Sequence, residues 1–106
     1  MTRIEVLTGA TVLAALVAAA PVQAAGDAAA GHALAQRWCT SCHVVDSATA
    51  GSDAAPAFSA IVNRAKRTPG TLRAWLAAPH PPMPNLSLSR REVDDIVAYL
   101  DSLRKS

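Results

Sequence analysis

The chain has 106 residues, enough for one small domain at most. Ten Lys and Arg against eight Asp and Glu leave a formal net charge of +2. No basic stripe with interleaved aromatics appears, which excludes a nucleic-acid partner.

The first stretch reads as an export signal. Arg3 supplies a weak positive region, residues 10–20 are apolar, and Pro21 breaks the run. Val22-Gln23-Ala24 then fits a small-residue cleavage site, with Ala25 equally eligible as the last residue removed. The apolar run falls short of the roughly 20 residues that span a bilayer, and no positive stop-transfer flank follows. A cleaved signal peptide over residues 1–25 and a domain over residues 26–106 are therefore expected, with no permanent membrane anchor. No cysteine lies near the cleavage region, so a lipid-anchored N-terminus has no support. What remains is small for an independent core, and such chains usually need a metal, disulfide or cofactor as a staple.

Asp27 is placed to cap a first helix over residues 28–37. Gly31 inside it costs about 1 kcal/mol relative to Ala, which points to a close backbone approach or to simple tolerance. Leu34 and Trp38, one turn apart, are expected to face the core. The helix runs into Cys39-Thr40-Ser41-Cys42-His43, the spacing of a c-type haem attachment site. Each thiolate adds across one haem vinyl group, and the next residue must reach the iron, which His43 is placed to do. The other readings are a redox dithiol, a structural disulfide or half a zinc site. Zinc would need two more good ligands, with only His32 and His80 remaining. A dithiol oxidoreductase would need a βαβ context, which is absent. Motif and export signal agree, because this cofactor is attached outside the cytoplasm, and the expected home is the bacterial periplasm.

Residues 46–55 lack periodicity and read as a loop ended by Pro56. Phe58, Ile61, Val62 and Ala65 then follow helical spacing, with Asn63, Arg64 and Lys66 outward. Thr68-Pro69 is a cap with a first-turn proline, and it opens a helix whose apolar face is Leu72, Trp75 and Leu76 and which Pro79 stops. Residues 79–84 contain four prolines with His80 and Met83, a stiff extended loop. Ser89 and Glu92 form a capping box, with Leu88 and Val93 as a hydrophobic staple. Val93, Ile96, Val97, Leu100 and Leu103 make one apolar helical face, and Arg104 and Lys105 close the helix. No strand and no repeat is evident, so the fold class is all-α with about four short helices.

A haem iron held by His43 has a second axial position. Met83 is the only methionine once Met1 leaves with the signal, and a rigid loop is an unusual place for core filler. His80, three residues earlier, is the competitor. A capped helix entering CTSCH, a proline after the haem loop, Met83-Pro84 and a terminal Ala98-Tyr99-Leu100 helix together resemble a class I c-type cytochrome. The short separation of His43 and Met83 is similar to the compact bacterial branch. The resemblance covers nearly all of residues 26–106 and implies a small cytochrome c fold around one covalently attached haem c.

It further implies thioethers at Cys39 and Cys42 and axial ligation by His43 and Met83. Pro56 would supply the carbonyl that accepts from the other nitrogen of His43. Gly31 would mark the crossing of the first and last helices near Tyr99. The usual aromatic one turn later is replaced by Ala35, with Trp38 filling some of that space. Trp75 resembles a haem-packing tryptophan whose N–H reaches a propionate. Arg64 would be a propionate partner, with Arg67 and Arg73 nearly as eligible, and a solvated helix face is the alternative reading for each of the three.

The implied function is a one-electron carrier, not an enzyme, because two protein ligands leave the iron no open site. Dedicated service as the haem subunit of a larger dehydrogenase complex is an alternative. A haem peroxidase or gas-binding sensor would require Met83 to be absent from the iron or easily displaced. Expected partners are redox proteins, a dehydrogenase donor and an oxidase or other haem acceptor, met by a monomer. The only lysines left to the domain are Lys66 and Lys105, so docking by a lysine ring is not available.

Overall fold

The structure is a computed structural model that describes residues 2–4, 8–15, 26–47, 51–78 and 80–106. The expected cleavage site and the helix-stopping Pro79 lie outside the described residues. Residues 2–4 and 8–15 carry no regular structure, and Ile4, Val12 and Leu13 are exposed there. Among the described residues, no helix is long and apolar enough to cross a membrane.

The described residues form four helices and no strand. These are α1 (Ala28–Trp38), α2 (Phe58–Asn63), α3 (Pro69–Ala77) and α4 (Arg90–Ser102). Local chemistry accounts for where three of them begin. The Asp27 carboxylate accepts from the N–H groups of Ala29 and Ala30, and Thr68 accepts from Thr71 ahead of Pro69 at the first position of α3. At α4 the capping box is complete: Glu92 N–H donates to Ser89 Oγ at 3.1 Å, and Ser89 N–H donates to Glu92 Oε1 at 2.9 Å. The Ser89 N–H bond, with a smaller contribution from the Ser89 side chain, favours the carboxylate and holds the Glu92 carboxyl below its ordinary value. The stabilisation is therefore complete above the unfolded value, about 4.3. It is lost as pH falls through the lower folded value.

α4 is the hub, packing on each of the other three helices. It buries Val93, Ile96, Val97 and Leu100, each contributing about 1.5–3 kcal/mol over an exposed position. The tightest contact is its crossing with α1. A Cβ built on Gly31 would stand 1.9 Å from the Asp95 carbonyl oxygen, and one on Gly26 would stand 2.0 Å from that of Asp94. The glycine expected to allow close approach does so, backbone against backbone. Asp95 adds a tie beside it, accepting from Asp27 N–H at 2.8 Å.

Three expectations about side-chain direction are corrected. Trp38 does not face the core but is 51 % exposed at the end of α1. Ala65 is exposed because α2 stops at Asn63, before the last turn that its spacing suggested. Asn63 points inward, donating to the Leu103 carbonyl at 2.9 Å and accepting from Lys105 N–H at 2.8 Å. Arg104, expected only to suit the helix dipole, donates to the Val62 and Arg67 carbonyls as well as to Asp101. Asn63 and Arg104 thus bind the end of α4 to α2 and the segment that follows it.

The crossing gives a direct test. Gly31→Ala is expected to lower stability by about 1–3 kcal/mol, because the helices must move apart. Gly70→Ala is the control, since nothing lies within 4 Å of its built Cβ. It is expected to raise stability by about 0.5–1 kcal/mol. Urea unfolding followed by far-ultraviolet circular dichroism measures both.

Candidate haem site

The CTSCH motif closes α1 and turns the chain away from it. Cys39 N–H donates to the Ala35 carbonyl as the last helical bond, at 2.9 Å. The Cys39 carbonyl then accepts from Cys42 N–H at 3.2 Å and His43 N–H at 2.9 Å. Thr40 Oγ1 bonds back to the Gln36 carbonyl at 3.0 Å. One turn therefore carries both sulfurs and the imidazole. Cys39 is 6 % exposed, and burial pushes its thiol up to about 11, whereas Cys42 is exposed. A thioether carries no charge, so it suits the buried position that a thiolate would not.

His43 is fixed from behind. Its Nδ1 lies 2.5 Å from the Pro56 carbonyl oxygen. A carbonyl only accepts, so Nδ1 carries the proton and Nε2 keeps its lone pair for a metal. The ring also meets Phe58 edge-on, with centroids 5.3 Å apart. The chain that brings Pro56 here is laced to the motif, with Ala55 N–H on the Cys42 carbonyl at 2.8 Å and Phe58 N–H on the Val44 carbonyl at 3.0 Å. A Cβ on Gly51 would stand 2.4 Å from the His43 carbonyl oxygen, so this loop too approaches too closely for a side chain.

Met83 is half-buried in the proline loop, and its N–H donates to the His80 carbonyl at 2.9 Å across a Pro81-Pro82 turn. His80 donates from Nδ1 to the Ala78 carbonyl at 3.0 Å and sets its ring against Trp75, centroids 4.2 Å apart. Trp75 is 42 % exposed, with the Arg67 guanidinium 4.7 Å above its ring. Of the three arginines, Arg67 is the one brought to Trp75. Arg73 pairs with Asp94 at 3.0 Å, and Arg64 is an exposed residue at the C-cap of α2.

Sequence reasoning missed a cluster behind the motif. His32 stacks on Tyr99 with centroids 4.7 Å apart and bonds Asp46 through Nε2. Tyr99 donates its hydroxyl to the Val45 carbonyl at 2.7 Å. Tyr99 therefore does have an aromatic partner, supplied by the residue after Gly31. The only local signal was the adjacency of His32 to that crossing glycine.

Two thiols in one turn and an imidazole with a free, oriented Nε2 form a donor set that fits a covalently attached haem. The comparisons agree. The family pattern described as Cytochrome c matches residues 28–104. The chain is similar to cytochrome c-552 of Bradyrhizobium diazoefficiens, 46 % identical over 72 residues that cover 67 % of this chain and 69 % of the relative. No solved structure matches the chain. The chain therefore belongs to the cytochrome c family, as an all-α, electron-carrying haem protein that holds haem c through Cys39 and Cys42.

Proposed function

We propose that the protein is a periplasmic one-electron carrier whose haem iron is bound axially by His43 and Met83. The observation that carries this reading is the Pro56 carbonyl on His43 Nδ1, which orients the ring and leaves Nε2 as the iron-binding nitrogen. The hydrogen bond also raises the basicity of the imidazole. When bound, haem supplies an iron that cycles between the ferrous and ferric states. Met83 would supply the second ligand from a loop that its prolines keep stiff, and a thioether in that role would favour the reduced iron. With both positions filled by side chains, oxygen or peroxide finds no open site. Trp75 and Arg64 are the propionate-side groups, and Arg67 joins them through its contact with the Trp75 ring. The similar protein from Bradyrhizobium is named a cytochrome c-552, which supports electron carriage over catalysis. The export signal read over residues 1–25 and the haem motif both support attachment outside the cytoplasm.

Ligation has a spectroscopic test. The ferric protein should show the weak near-infrared band of sulfur-to-iron charge transfer, and Met83→Ala should abolish it. A high-spin or bis-histidine wild-type spectrum, the latter with His80 bound, overturns the assignment. A high-spin iron would also revive the enzyme reading.

The fold should depend on the haem, because the helices alone bury a small core. Cys39→Ala combined with Cys42→Ala is expected to leave a largely unfolded polypeptide by circular dichroism. A cooperative, near-native helical apoprotein would count against this.

Docking is expected to be weakly polar and below about 1,200 Å² of total burial, as in transient redox encounters. Arg64, Lys66 and the Asp94-paired Arg73 are exposed cations of that side, and Arg67 lies over Trp75. Steered association collapses as the Debye length shrinks from about 10 Å at 0.1 M salt to about 3 Å at 1 M. Stopped-flow electron transfer with the native partner should retain most of its rate across that range. A fall by orders of magnitude would show that the basic side governs docking.

A further inference from the structure

The cluster behind the haem motif joins three parts of the chain. His32 comes from α1, Asp46 from the segment after the motif and Tyr99 from α4. The Asp46 side chain is only 15 % exposed and that of His32 37 % exposed. Two routes connect this cluster to the proposed iron ligand. Tyr99 holds the carbonyl of Val45, two residues past His43, and Val45 is fully buried. Phe58 stands between the rings, 6.3 Å from Tyr99 and 5.3 Å from His43 by centroid.

We propose that His32 is a positioning residue for the proximal side of the haem, acting through Asp46 and Tyr99, and that proton exchange on its ring ties the reduction potential of the iron to pH. The proposal rests on the reading of His43 as an iron ligand. Histidine is the side chain that ordinarily changes charge between pH 5 and 8. With its proton, His32 neutralises the Asp46 carboxylate, and the pair carries no net charge. Without it, the pair carries one negative charge in the segment that leads directly from His43. Negative charge favours ferric over ferrous iron, so the potential falls as pH rises through the His32 titration. By reciprocity, oxidising the iron makes the His32 proton easier to lose. The balance is simple. Reduction takes one electron from an electrode or soluble one-electron mediator, and within that window up to one proton passes from water to the imidazole.

The groups facing His32 are consistent with this assignment. From α4 the group is Tyr99, whose hydroxyl is raised above the usual phenol range by burial and by the Asp46 charge, and which stays a neutral donor. Asp95, one turn before Tyr99, is turned to the Asp27 N–H. α2 brings only the uncharged Phe58 to Tyr99. The charged residues of α1 and its cap, Asp27 and Arg37, are exposed at its two ends. Asp46 is the carboxylate in contact with the ring.

The experiment uses the haem-loaded protein and His32→Gln, which can still hydrogen-bond to Asp46 but exchanges no proton. Potentials are measured by spectroelectrochemistry from pH 5 to 8.5, and the His32 ring is titrated by NMR in both oxidation states. The wild-type potential is expected to fall with pH, with the His32 midpoint higher in the ferrous protein. His32→Gln should flatten the slope in that window. Identical His32 midpoints in the two states, or an unchanged slope in His32→Gln, overturn the proposal. The wild-type titration stands even if the variant fails to fold. A wild-type iron that is not low-spin would remove the reading of His43 first. A low-spin iron with a pH-independent potential would remove this proposal alone.

Discussion

Everything in the domain hangs on the backbone contact between α1 and α4. Gly31 against the Asp95 carbonyl sets the distance between the helices, and Gly26 against Asp94 repeats it at the entry to α1. Any side chain at either place would part them. Because the haem motif is the direct continuation of α1, this contact also sets where Cys39, Cys42 and His43 stand relative to the core. The apolar face of α4 is thus shared between helix packing and the support of the haem-bearing turn.

The second constraint is the lacing of residues 51–58 to residues 42–44. Three backbone approaches and the Pro56 carbonyl hold the segment that follows the motif. Pro56 lacks an N–H, but its role here uses only the carbonyl, so its fixed backbone shape is available without loss. Phe58 then does two things from one ring: it fills the core and props the edge of His43. The same few residues carry core packing and cofactor geometry, as expected of a domain too small to separate them.

Much of this was legible in the sequence, wherever the governing interaction is local. Asp27, Thr68-Pro69 and the Ser89–Glu92 box act over two or three residues, and the structure shows each as read. The CTSCH spacing is likewise a local signal for the haem it holds. What escaped were pairings between distant residues. His32 and Asp46 are 14 positions apart, Asn63 and Leu103 are 40 apart, and Tyr99 and Val45 are 54 apart. Asn63 looked like a solvated helix residue because nothing near it in the chain says that α4 ends there. Trp38 was misplaced for a related reason. Helical spacing aligned it with Leu34, but α1 ends at Trp38, where the chain turns into the haem motif.

The dependence of α1 on α4 has a consequence for the order in which the protein is made. Among the described helices, α1 packs only on α4, the last of the four along the chain. During synthesis the haem-bearing turn emerges early, but the surface it must close against emerges last. Asn63 and Arg104 reinforce this, because their bonds join α2 and its sequel to residues 101–105. Until those residues arrive, the two thiols belong to an open chain.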